Sequence, residues 1–300
     1  MPDRTTWCCP MPARKIRLSP KKQKWADRFK PESLRGARLA VPVAVQVRYD
    51  AALQKLVREM VAETEREVRA LFQSPTAVAS HVATDASISS QSRILMNALH
   101  ERFSLLFARA ARGLSERMVD DVQRNSATGL KRSLRDIAGN ISIKTDVLKS
   151  GPVAEMVKAS IAENVALIKT LPEAYLGKVS TAVMRSITSG NGLQDLVPFF
   201  TKQKGITERH ARNMAYDQTR KATNGINRGR MQGVGIKRFE WVHTGGGQAP
   251  RQDHIDMSGN VYSFDDLPVI DARTGERGIP GQAPNCRCIM RPVLDFGAEA

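Results

Sequence analysis

A mainly α-helical fold ending in a small C-terminal α+β domain is predicted by three features of the sequence. Apolar residues recur at intervals of three and four from about residue 45 to about 200, the spacing of a helix with one buried face. Beyond about residue 236 the period falls to two in short runs, as in half-buried strands. Between those runs lie "TGGGQAP" and "TGERGIPGQAP", whose glycines and prolines favour loops over more helix. These changes divide the chain into a basic arm over 1–38, a helical region over 39–203 and a C-terminal domain over 204–300, with long helices in the first two-thirds and a small sheet near the C-terminus.

Residues 1–38 hold eleven Lys/Arg against three acids, a surplus of eight in a formal charge of +16, and four prolines precede Lys21. That composition describes either a solvated terminus or an arm lying along phosphates or an acidic protein surface. Arg14, Lys15, Arg17, Lys21, Lys22, Lys24, Arg28 and Lys30 are the candidate DNA contacts. The first helix carries Tyr49, Leu53, Leu56, Met60, Thr64, Val68 and Leu71 on one face, and Ser74-Pro75 ends it. A second stripe, Ile88, Leu95, Leu99, Phe103, Leu106, Ala110, Leu114, Met118 and Val122, keeps the same spacing for about nine turns. Pro152 and Pro172 each suit a first helical turn and are expected to open a third and a fourth helix, the latter closed by "SGNG" at 189–192. Thr207 is expected to N-cap a helix reaching about Gly233, with Ala211, Met214, Gln218, Ala222 and Ile226 on one face and basic residues, Arg230 among them, spread around it. Strands follow at 236–243, with Phe239, Trp241 and His243 on one side, at 261–264 and at 288–293.

Composition narrows the function classes. With 300 residues and 41% apolar content the chain has enough material for one large or two ordinary domains. The charge and a pI near 10.1 point to a polyanionic partner, nucleic acid first. Four cysteines, paired as Cys8/Cys9 and Cys286/Cys288, do not make a disulfide framework, so a reducing cytoplasm is expected. The longest apolar stretch, 39–47, is far too short to span a bilayer, and the basic N-terminus has no apolar signal region; neither membrane insertion nor export is expected.

Enzyme motifs are few. There is no G-x-x-x-x-G-K-[ST], no G-x-S-x-G and no H-E-x-x-H. Arg251, Asp253 and His254 in "PRQDH" could orient water or phosphate beside a metal, which keeps a metal-dependent nuclease or toxin-like DNA-processing enzyme as the alternative function. With five histidines in the chain such a centre is short of ligands, and a non-enzymatic role is the preferred reading. Cys286 and Cys288, with His243 and His254, have the donor types of a zinc site, yet C-x-C is a weaker zinc signal than C-x-x-C, and two small buried thiols explain the pair as well. As residues i and i+2 of a strand, both thiols should face one environment.

In order, "GVGIKRFEWVH", "PRQDHIDMSGNVYSFDD", "GIPGQAPNCRC" and "MRPV" resemble the domain of phage Mu F-like head morphogenesis proteins, minor capsid proteins of tailed phages, over about 205–295. The resemblance implies a virion protein without established enzymatic activity, made in the bacterial host cytoplasm. It also implies a place inside the head or at the portal vertex, with the portal, the procapsid with its major capsid or scaffold protein, and double-stranded DNA as partners. Many relatives have C-x-x-C where this chain reads Arg251 to His254, a His where Ala283 stands, and Arg-Thr-Glu where Gln218-Thr219-Arg220 stands. The resemblance thus implies a structural clasp of Trp241, Arg251, His254, Gly259, Cys286 and Cys288, expected in a hydrogen-bonded, cofactor-free form. Zinc on His254, Cys286, Cys288 and His243 is the alternative.

Overall fold

The computed structural model describes residues 33–74, 87–138, 151–245 and 249–295. The candidate DNA contacts from Arg14 to Lys30 lie outside the described residues. In chain order the elements are β1 (Ser33–Arg35), α1 (Val43–Gln73), α2 (Ile88–Ala138), α3 (Pro152–Ser189), α4 (Leu193–Gly233), β2 (Arg238–Val242), α5 (Gln252–Asp256), β3 (Val261–Ser263), β4 (Val269–Asp271), β5 (Glu276–Arg277) and β6 (Ile289–Asp295). The fold class is the one predicted: long helices first, then a small antiparallel sheet.

Among the described residues, one compact unit consists of 41–74, 87–124 and 157–223. In α1 the buried apolar positions are Val45, Tyr49, Leu53, Val57, Met60, Val61 and Val68, a stripe of threes and fours that, with the buried Thr64, includes most of the predicted face. Leu56 and Leu71 are only half-buried, at its edge. In α2 the buried row runs Met96, Leu99, Phe103, Phe107, Ala111, Leu114, Met118 and Val122. Two expectations about helix starts are corrected here. Pro172 lies inside α3, because Ile168, Leu171, Tyr175, Leu176, Val179 and Val183 form one buried row on both sides of it. Burying each of these is worth about 1.5–3 kcal/mol, which outweighs the roughly 3 kcal/mol that an interior proline costs. Thr207 is likewise interior to α4. Leu196, Phe200, Gln203, Thr207, Ala211, Met214, Gln218 and Ala222 are a single buried row, in which the Thr207 hydroxyl donates to the Gln203 carbonyl at 2.9 Å instead of capping.

Polar groups tie three helices of this unit together. The Tyr49 hydroxyl of α1 donates to Asn164 Oδ1 of α3 at 2.8 Å, the Asn164 amide donates to Gln218 Oε1 of α4 at 3.3 Å, and the Gln218 amide donates to Glu163 Oε1 at 3.0 Å. Burial raises the Tyr49 hydroxyl's pKa, so it remains a donor.

Among the described residues, the other unit draws on 33–40, 125–138, 151–156, 224–245 and 249–295. Its larger sheet runs β1-β6-β2-β3, all antiparallel, with Trp241 opposite Met290, Phe239 opposite Pro292 and Tyr262, and Leu34 opposite Leu294, while β4 and β5 pair as a separate two-stranded sheet. Phe239, Trp241, Met290 and Leu294 join Leu39, Leu130, Leu134, Met231, Phe264 and both thiols in one apolar core. Phe239 stacks on Phe264 at 4.9 Å. The buried Glu240 carboxylate is paired by Arg35 of β1 at 3.0 Å and Arg291 of β6 at 3.3 Å, so the end of the segment expected to be an arm is strand with a partner. Arg230, one of the basic residues spread around α4, is 3% exposed in this unit.

Candidate functional site

The loop from Gly278 to Cys288, the short helix α5 and the end of β2 bring two thiols and two imidazoles together. Gly281 (φ 79°) and Asn285 (φ 59°) turn the chain twice before β6, and the Cys286 amide donates back to the Ala283 carbonyl at 3.0 Å. Asn tolerates this left-handed conformation better than most side chains. Cys286 therefore lies in a loop and Cys288 directly precedes β6. Both thiols do share one environment, but the two turns create it, and the alternation of a strand does not.

His254, from α5, is 3% exposed. Its Nε2 lies 3.0 Å from the Ile270 carbonyl oxygen. A carbonyl only accepts, so Nε2 carries the proton and Nδ1 presents a lone pair. That lone pair faces Cys286 Sγ at 3.3 Å and Cys288 Sγ at 3.9 Å. His243, half-buried just after β2, places its own Nδ1 3.5 Å from Cys288 Sγ. Trp241 packs edge-to-face on His254 at 5.2 Å and closes the cluster from beneath. Backbone groups add to it: the Gly281 N–H points at Cys286 Sγ at 3.4 Å.

The two sulfurs are driven apart in acidity. The Cys286 thiol is lowered to about 5, first by its hydrogen bond with the Cys288 thiol, against the opposing effect of burial, and then by backbone N–H groups. Cys288 is raised, first by Cys286 and then by burial, and the Trp241 indole offsets part of that rise. The pair holds one proton between them near neutral pH.

The other predicted clasp residues act on the frame around the sulfurs. Arg251 donates to the Pro284 carbonyl at 3.0 Å and so pins the thiol loop to the start of α5. Gly259 does not reach the sulfurs; its N–H donates to the Trp241 carbonyl at 2.8 Å, with φ 90°. A side chain at that φ would be strained, which explains the glycine. Asp253 is exposed on α5. Sequence reasoning missed the Ile270 carbonyl, the Gly281 N–H, Thr244, which donates to Arg287 O at 2.8 Å, and Asn224, which donates to Cys288 O at 3.4 Å. The only signals in the sequence were the positive-φ residue types at Gly281 and Asn285. A cavity of about 250 Å³, lined by His243, His254, Cys286, Cys288, Arg251 and Arg287 among others, opens beside the cluster.

Residues 177–291 match the family described as Phage Mu protein F like protein. The chain is 30% identical over 166 residues to an uncharacterized protein of Haemophilus influenzae, covering 53% of this chain and 36% of that one. It is 25% identical over 126 residues to the uncharacterized protein YqbB of Bacillus subtilis, covering 39% of this chain and 41% of YqbB. The chain thus spans well under half the length of these relatives. No solved structure matches it.

Proposed function

From a chain whose residues 177–291 are of the phage Mu protein F like family, we infer a minor head protein of a tailed double-stranded DNA phage. In this reading it associates with the portal and with the major capsid or scaffold protein while the head assembles, and it stays in the virion at the portal vertex or in the head interior. The family match carries the reading. The site supports a structural role, because His254 turns Nε2 to a backbone carbonyl and Nδ1 to the sulfurs, so neither ring nitrogen is directed at a bound substrate. The net charge of +16 suits a DNA-filled interior. Among the described residues no helix is long and apolar enough to cross a membrane.

Co-expression with the portal protein encoded by the same genome, followed by affinity capture of the portal, tests the association. Co-purification at a fixed ratio is expected, and recovery of the portal alone contradicts it. Contact with DNA predicts retention that falls by about 10³ or more between roughly 50 and 200 mM salt, if six or more phosphates are neutralised.

A further inference from the structure

We propose that Cys286, Cys288, His254 and His243 form a binding site for one zinc-like divalent cation. This is independent of any role in phage heads, and it takes the zinc alternative in place of the cofactor-free clasp expected from the sequence. Three observations carry it.

The first is spacing. In a tetrahedral zinc site, Zn–S bonds of about 2.3 Å and Zn–N bonds of about 2.0–2.1 Å put neighbouring S and N donors about 3.6 Å apart. The three S···N separations here are 3.3, 3.5 and 3.9 Å, scattered about that value. The donor atoms of His254, Cys286 and Cys288 all lie within 4.8 Å of one another. His243 lies outside this trio and meets it only through Cys288, at 3.5 Å; its half-buried ring lines the cavity beside the cluster, from where it would complete the site as fourth ligand.

The second is the outer partner. Metal-binding imidazoles almost always donate their other ring N–H to a carbonyl or carboxylate, which fixes the tautomer and aims the lone pair. His254 has this arrangement, with Nε2 on the Ile270 carbonyl and Nδ1 directed at both sulfurs. A hydrogen-bonded clasp uses the lone pair for a single S–H donor. A cation uses the same lone pair together with both sulfurs.

The third is charge. Two thiolates and two neutral imidazoles around a divalent ion sum to zero, so the filled site can be buried among Trp241, Ile270 and Met290 without an uncompensated charge. The Gly281 N–H directed at Cys286 Sγ favours the thiolate form that a metal requires. The chemistry is closed and structural: the ion joins α5, the end of β2 and the start of β6, and no open coordination position is needed.

The test uses the full chain purified under reducing conditions, with zinc alone as the probe. Elemental analysis should find about one zinc per chain, and replacement by cobalt(II) should give the intense visible bands of a tetrahedral thiolate site. Cys286→Ser and Cys288→Ser should abolish stoichiometric binding. Because those variants could fail to fold, His243→Gln, at a half-buried position, is the second arm. It should keep its circular dichroism and bind zinc at least roughly tenfold more weakly, since even outer partners of zinc ligands are worth 10–100-fold. Folded wild-type protein that holds little zinc and gives no cobalt–thiolate bands overturns the site. Unchanged zinc affinity in His243→Gln overturns the four-ligand assignment.

Discussion

Nδ1 of His254 lies 3.3 Å from Sγ of Cys286, a residue 32 positions further along the chain. The contact joins α5 to the double turn before β6, and so links two loop-rich segments that share no strand pairing with each other.

Replacing His254 with Ala removes the lone pair that faces the sulfurs, leaves the Ile270 carbonyl without its donor and opens a cavity under Trp241. A loss of about 2–5 kcal/mol is expected from these combined causes, measured by urea denaturation with the m-value checked for two-state behaviour. A loss below about 0.5 kcal/mol, the range of neutral surface changes, contradicts a supporting role for this ring.

In the helical unit, Tyr49→Phe deletes one hydroxyl and leaves Asn164 Oδ1 buried without its donor. The expected cost is about 1–3 kcal/mol. A double-mutant cycle with Asn164→Ala should show coupling of at least about 0.5 kcal/mol, because the two groups share one network; additivity contradicts the network.

Much of this architecture was legible in the sequence, and the exceptions have physical causes. The helix stripes from Tyr49 to Val68 and from Leu99 to Val122 were readable because apolar side chains hold the period. Pro172 and Thr207 misled, because each is locally a helix-start residue, while the long buried rows of α3 and α4 run through both. Strand β1 has three residues and no period to detect; its place is fixed by pairing with β6, some 260 positions away. At the site, the residue types His243, His254, Cys286 and Cys288 were visible from the start. Their convergence on one point depends on the backbone turns at Gly281 and Asn285, which spacing alone does not encode.

Arg230 places a charge in the core. Among the described residues its Nε and Nη1 meet no hydrogen-bond acceptor, and burial lowers its pKa to about 10. A buried cation without an anion costs more than it returns, so Arg230→Met should be neutral or stabilising, by up to about 1–4 kcal/mol in thermal or urea unfolding. A loss of several kcal/mol instead means that an anionic group outside the described residues holds the guanidinium.

Asp121 provides a pH signature. Hydrogen bonds from Arg48 at 2.8 Å and then from Arg124 hold its carboxyl below the ordinary carboxylate range. A depressed folded-state pKa contributes stability that is present above the unfolded value of about 3.9 and is lost as pH falls through the folded value. Arg48→Met should therefore shift the Asp121 titration upward in carboxyl NMR, and the stability gap between wild type and variant should close as pH falls below about 4. The pair is solvent-accessible, so added salt should narrow the gap as well. An unshifted titration in Arg48→Met contradicts the pairing.

The most direct test of the central claim, that this protein is a component of phage heads, is mass spectrometry of particles purified by density gradient from cells producing the phage that encodes it. The account predicts that its peptides co-migrate with the portal and major capsid proteins in procapsids and in DNA-filled heads. Their absence from both, with the protein abundant in the same lysate, would contradict it.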